Sequence, residues 1–236
     1  MNKIIRGILI LSLTLLLASF AVAQQTDHQS DAGLQYLKYL PQNYESDGDR
    51  GFPLLLFLHG GGEVGENIEL VKKHGPPKLI EQGKDFPCII ISPQNPENKL
   101  WDDGALKQIL DEIIATHRVD MQRIYLTGLS RGGFGAWRTA IQYPDLFAAV
   151  VPICGGGTPS YVSRLKDVPV WAFHGARDRV IPLSKSVEMV EALQRVGGKV
   201  KLTVYPEAGH DSWTETYNNP EVYDWLLSQK KENLPK

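Results

Sequence analysis

The chain has 236 residues, 42% of them hydrophobic, and a formal net charge of −2 from 25 Lys and Arg against 27 Asp and Glu. Both signs are mixed along it with no basic stripe, which argues against nucleic acid as a partner. No low-complexity tract or internal repeat divides it, and the length suits one domain with a sizeable core.

Lys3 and Arg6 precede an apolar or small stretch over residues 7–20, and Ala21-Val22-Ala23 gives a small-x-small pattern. This reads as a secretory signal peptide cleaved between Ala23 and Gln24, with a secreted or periplasmic product. The apolar run is short for a membrane span, so none is expected in the mature protein. No cysteine stands at the cleavage site, against a lipid anchor. Residues 24–33 are polar and expected to be flexible. The catalytic domain is expected over 34–230, with a polar tail at 231–236.

Residues 34–40 alternate apolar and polar, as in an outer antiparallel strand. Nearly continuous apolar runs follow at 54–58, 88–92, 123–127, 148–153, 170–174 and 200–205. Such runs fit parallel strands covered on both faces. Helical patterns lie between them near 68–82, 104–117, 134–142, 184–196 and 220–229, and Gly197-Gly198 closes the fourth. The alternation predicts an α/β fold, a doubly wound, mostly parallel sheet with helices on both faces. Ligands in such sheets sit at the carboxyl ends of the strands.

Four of those ends carry candidate chemistry. Gly128-Leu129-Ser130-Arg131-Gly132 matches G-x-S-x-G between a strand and a helix, the setting of a nucleophile elbow. His59-Gly60-Gly61-Gly62-Glu63 follows the strand 54–58, Asp178 the strand 170–174, and His210 the strand 200–205. A serine hydroxyl is a weak nucleophile at neutral pH and needs a base within hydrogen-bond reach. His210 is the candidate base, since an ordinary imidazole titrates near neutrality. Asp178 is the candidate acid that fixes the imidazole tautomer. Asp211 and Glu207 are rival acids, but they lie beside His210 rather than on the preceding strand end.

The chain from about 34 to 227 resembles compact α/β-hydrolases of the phospholipase/carboxylesterase group. Among these it is similar to bacterial secreted esterases related to dienelactone hydrolases and to feruloyl and acetylxylan esterases. The resemblance rests on HGGGE at 59–63, GLSRGGFG at 128–135, FHGARDRVIP at 173–182 and AGHDSW at 208–213, with serine, acid and histidine in the order typical of that fold. It implies an oxyanion hole made by the backbone N–H groups of Arg131 and Gly61, with Gly62 competing for the second place. It also implies hydrolysis of small-molecule or polysaccharide-linked esters without a cofactor. A serine peptidase of the prolyl-oligopeptidase type and a non-catalytic binding protein on the same scaffold are the alternatives.

Only residues 155–168 separate the strands 148–153 and 170–174, too few for a substantial lid, so an open site is expected. Trp101, Tyr161 and Trp213 lie near predicted strand ends or site loops and either line the substrate or pack. The Arg131 side chain is read as solvated, with contact to an acidic substrate group as the competing reading. His59 is expected to shape the oxyanion loop, His174 to end a core strand, and His74 and His117 to be surface residues. No pair of histidines has metal-ligand spacing and no metal is expected. Cys88 and Cys154 fall in runs separated by two strands, roughly 14 Å apart at about 4.8 Å per strand, too far to pair. The oligomeric state is open.

Overall fold

The strand Phe52–Leu58 (β3) shows how the sheet is built. All of its residues are buried. Leu54, Leu56 and Leu58 enter one core while Leu55 and Phe57 enter the other. Both faces of a strand bury apolar side chains only when both faces of the sheet are covered. The computed structural model describes residues 24–31, 33–96 and 99–231. The signal-peptide reading of 1–23 and most of the predicted tail lie outside the described residues.

The other strands are β1 (Gln25–Gln29), β2 (Gln35–Tyr39), β4 (Ile89–Pro93), β5 (Val119–Leu129), β6 (Ala149–Ile153), β7 (Val170–Gly175) and β8 (Val200–Tyr205). They form one eight-stranded sheet in the order β1-β2-β4-β3-β5-β6-β7-β8. β1 and β2 join antiparallel, and from β4 to β8 every pair is parallel. Three helices, α2 (Asp103–Thr116), α3 (Arg131–Gln142) and α4 (Ser184–Arg195), bury Leu106, Trp137 and Met189 against one face. Three more, α1 (Gly75–Glu81), α5 (Trp213–Asn218) and α6 (Pro220–Ser228), bury Ile80, Tyr217 and Leu226 against the other. This is the α/β-hydrolase architecture. The β6–β7 crossover holds only a short 3-10 segment, Pro159–Leu165, in place of a lid.

Three expectations need correction. The segment 24–33 is not simply a flexible lead-in: β1 pairs with β2 from Gln25↔Tyr39 to Gln29↔Gln35. Without β1, β2 would present an open row of backbone donors and acceptors. The buried Gln25 also donates through Nε2 to Pro77 O at 2.9 Å. The helix read over 68–82 is two pieces, a 3-10 segment Ile68–Lys73 and α1. Gly75 at φ 65° breaks it, and Pro76 restarts it with a helix-ready φ at a place where no N–H is needed. The short helix α5 has no counterpart among the predicted helices. Cys88 and Cys154 are buried and free, with β3 and β5 between the strands they flank.

Candidate active site

Ser130 follows β5 and precedes α3 with φ 52° and ψ −116°. A non-glycine residue holds such a conformation only when its surroundings over-determine it, at a cost of about 1–3 kcal/mol. The surroundings here are backbone. A Cβ on Gly128 would collide with Gly132 O, and one on Gly132 would collide with Leu58 O. The two glycines of the motif therefore let β5, α3 and β3 approach closely enough to force the turn. Ser130 N–H donates to Ile153 O at 2.9 Å and Ser130 O accepts from Phe134 N–H at 3.0 Å, so both ends of the strained residue are tied.

The structure brings Ser130, His210 and Asp178 together. Ser130 Oγ lies 2.9 Å from His210 Nε2, and His210 Nδ1 lies 2.7 Å from Asp178 Oδ2. Nδ1 faces a carboxylate and so carries the hydrogen, which leaves Nε2 to accept from the serine hydroxyl. Asp178 Oδ1 accepts from the N–H groups of Val180 at 2.8 Å and Ile181 at 2.9 Å. Burial pushes its carboxyl pKa up, but the bonds from His210 and these two N–H groups outweigh it and hold the group below its usual range. His174 backs the acid from the core: its Nε2 lies 3.0 Å from Ile181 O and 3.3 Å from Asp178 Oδ2. The rival acids are engaged elsewhere, Glu207 with Arg177 and Asp211 with the N–H and hydroxyl of Thr214.

The loop after β3 faces this trio. His59 is fully buried. Its Nε2 accepts from Asn95 N–H at 3.0 Å, so its Nδ1 carries the hydrogen and donates to Gly60 O at 2.8 Å. The Gly60 carbonyl and the Gly61 N–H share one peptide plane and point in opposite directions. Holding the first fixes the second. Burial pushes the His59 pKa down to about 4, with the Arg131 guanidinium adding to the shift. Arg131 N–H lies in the first turn of α3, ahead of the first intrahelical bond, and has no helical acceptor. Its side chain is not simply solvated. A Cβ on Gly61 would lie 3.6 Å from Arg131 Nε, and Nη1 donates to Lys99 O at 3.2 Å. The guanidinium thus packs on the loop that carries Gly61. Gly62 has open space on its Cβ side.

The three aromatic candidates separate. Trp101 is 3% exposed. It packs edge-on to His59 at 4.9 Å between ring centroids and so braces the loop after β3. Trp213 stands edge-on to His210 at 5.1 Å and 89°. Tyr161 is 61% exposed. It borders a groove of about 590 Å³ between α3 and the β6–β7 crossover, shared with Leu100, Phe134, Ile141, Arg138 and Arg164. Phe134 lies one helical turn beyond Ser130. His74 also departs from expectation, being half-buried beside Glu63 rather than free on the surface. Cys154, His210 and Asp178 place ligand atoms within 4.8 Å of one another. The histidine and carboxylate are spent on each other, however, and burial pushes the thiol up to about 12. As a metal donor set it is poor.

Sequence reasoning missed Glu63 and Asn95. Glu63 stood inside a quoted motif, but nothing local said that its carboxylate turns inward. Among the described residues, no helix is long and apolar enough to cross a membrane.

The poly(3-hydroxyalkanoate) depolymerase C of Paucimonas lemoignei is 30% identical over 155 residues, 58% of this chain and 35% of that protein. The probable feruloyl esterase C of Aspergillus niger is 24% identical over 191 residues, 78% of this chain and 70% of that protein. The crystal structure of a thermostable esterase superposes with a TM-score of 0.76 at 32% identity, over 89% of this chain and 64% of that one. The chain thus spans about a third of the depolymerase's length. A family model described as phospholipase/carboxylesterase matches residues 86–220, more than half of the sequence, and the chain belongs to that family.

Proposed function

We propose that the chain is an exported serine carboxylic-ester hydrolase that works through an acyl-enzyme. The observation that carries the reading is the unbroken line of hydrogen bonds from Ser130 through His210 to Asp178, raised on a strained turn at the open end of the sheet. In the first half-reaction Ser130 Oγ attacks the ester carbonyl carbon while its proton passes to His210 Nε2. The carbonyl π pair becomes the oxyanion, received by the N–H groups of Arg131 and Gly61. Collapse expels the alkoxide, which takes the proton from His210. Water then repeats the sequence on the acyl-enzyme, releasing the acid and restoring Ser130. Asp178 keeps the imidazole in the working tautomer and stabilises its cation.

The groove beside Phe134 supports a substrate larger than a short acyl ester. At about 590 Å³ it has the capacity of a drug-sized site, and its apolar lining by Leu100, Phe134 and Ile141 suits an acyl decoration. An acyl group on a plant polysaccharide is the substrate class proposed. Residues 1–23 are proposed to be removed on export.

Purified protein should turn over p-nitrophenyl acetate faster than a peptidyl-proline anilide. A fluorophosphonate should label Ser130 in the wild type and leave Ser130→Ala unlabelled. Anilide hydrolysis without ester hydrolysis would replace the reading with a peptidase, and an unlabelled Ser130 would leave a binding protein. A panel of acetyl, butyryl, feruloyl and acetylated-xylan substrates reads the acyl preference, and N-terminal sequencing of exported protein reads the cleavage site.

A further inference from the structure

Glu63 is a buried carboxylate that the proposed mechanism leaves unused. Its side chain is 6% exposed. One oxygen, Oε2, accepts the N–H of Gly60 at 3.0 Å, and the other, Oε1, lies 3.6 Å from His74 Nε2. The His74 ring stands against Trp213 at 5.4 Å and 61°, and the other side of the contact chain is Trp213 against His210 at 5.1 Å. A second acid–imidazole pair thus stands beside the first, with an indole between the two imidazoles. Gln94 ties the same loop by donating to the carbonyls of Glu63 and Gly65 at 2.7 Å each. His74 cannot drift away, since Gly75 at φ 65° presses so closely on the Phe57 ring that a Cβ would collide with it.

We propose that Glu63, flanked by His74, is a positioning residue for the oxyanion hole. The inference rests on the esterase reading. Two peptide planes must be set for Gly61 N–H to point at a developing oxyanion. His59 holds the plane that contains this N–H, through Gly60 O. Glu63 holds the plane before it, through Gly60 N–H. With both fixed, the donor has no swing left. With Glu63 removed, Gly60 N–H is unpaired in a buried position and the loop is free to rotate about one anchored carbonyl. A carboxylate makes a stronger anchor than a hydroxyl or carbonyl, because bonds to charged acceptors are shorter and firmer. The buried setting of Glu63, with its Oε2 on Gly60 N–H and His74 beside its Oε1, keeps the carboxylate facing inward. Loss of a whole oxyanion donor slows kcat about 10²- to 10³-fold. A misaimed donor forfeits part of that, and Glu63→Met is expected to slow kcat about 10- to 100-fold.

The test is kinetic, on full-length mature protein. An arylboronic acid bonds to Ser130 Oγ as a tetrahedral anion and places an oxygen where the oxyanion forms. For Glu63→Met, kcat on p-nitrophenyl acetate and affinity for the boronic acid should fall by the same factor, with KM within about twofold. Glu63→Gln keeps an acceptor for Gly60 N–H and should recover most of both. His74→Phe keeps the Gly60 bond and should lose about threefold. Thermal melts accompany each variant, and if Glu63→Met does not fold, Glu63→Gln and His74→Phe carry the decision. Unchanged kcat and boronate affinity in Glu63→Met would overturn the proposal. So would a raised KM at unchanged kcat, which marks ground-state binding. So would Glu63→Gln as impaired as Glu63→Met, or His74→Phe at wild-type kcat and boronate affinity. If the wild type neither hydrolyses the ester nor binds the boronic acid, it is the esterase reading that fails.

Discussion

Acid should lower the stability of the fold through His59, whose pKa burial depresses in the folded state. His59 accepts Asn95 N–H at Nε2 and donates to Gly60 O from Nδ1. A second proton on Nε2 would set two N–H donors facing each other in a buried space. Burial accordingly pushes the pKa from the ordinary 6.5 down to about 4. Between those values the unfolded chain binds more protons than the folded one, so stability rises with pH there and is lost as pH falls from about 6.5 toward 4. The whole gap is worth roughly 3 kcal/mol, of which about 2 kcal/mol is gone by pH 5. In a domain of this size that is a drop in Tm of roughly 4–8 °C. Urea melts at pH 7.5, 6.5, 5.5 and 5.0 on the wild type and on His59→Gln, whose amide does not titrate, isolate this contribution. The wild-type advantage over the variant should shrink by about 2 kcal/mol across that range. Parallel curves would refute the claim that burial holds His59 neutral.

Other perturbations test the frame. Asp178→Asn should lower kcat on p-nitrophenyl acetate by about 10⁴ by favouring the wrong imidazole tautomer; a loss under tenfold would remove Asp178 from its role. Gly132→Ala drives a Cβ into Leu58 O and His59 O and should cost about 3 kcal/mol in urea melts or prevent folding. Gly62→Ala, with open space at its Cβ, should stay within about 0.5 kcal/mol. Arg131→Ala leaves the N–H in place but removes the guanidinium packed on Gly61, so turnover of neutral and carboxylate-bearing esters should fall together by a few-fold; a loss confined to the charged ester would assign the side chain to substrate. Unfolded, unreduced protein should titrate two thiols, from Cys88 and Cys154.

How much could be read beforehand depended on where the governing contacts lie along the chain. Buried parallel strands announce themselves as apolar runs, and the polar residues just past their ends are few. Ser130, Asp178 and His210 stood out for that reason, and the fold sets them within hydrogen-bond reach of one another. Trp101 was ambiguous because nearness to a strand end does not say which side of a loop a ring takes. Its contact with His59 spans about forty residues of chain. The strand at Gln25–Gln29 was hidden because edge pairing uses backbone groups that every residue carries, while its side chains are largely polar and exposed. The break at Gly75 was missed because a helical apolar period runs across it. What breaks it is a glycine pressed on Phe57, a contact with a different strand.

The strain at Ser130 is shared by the sheet. Only Ser130 at φ 52° and Cys154 at φ 38° are non-glycine residues with positive φ among the described residues, and each directly follows a neighbouring strand, β5 and β6. Beyond the regular ladder, Ser130 N–H donates to Ile153 O, Cys154 N–H to Phe173 O, and Ala176 N–H to Tyr205 O, at 2.9, 2.8 and 2.9 Å. Each strand's first residue past its end is thus pinned to the strand beside it, in sequence from β5 to β8. The two strained residues cost about 1–3 kcal/mol each, and these three backbone bonds, at about 1 kcal/mol apiece, offset part of that cost. The same row sets the spacing of the site, because Ser130 lies at its first step and the loops bearing Asp178 and His210 depart from its last. An elbow of this kind is therefore a property of four adjacent strand ends. Loosening β6 or β7 should misplace the serine even where every residue of the G-x-S-x-G motif is intact.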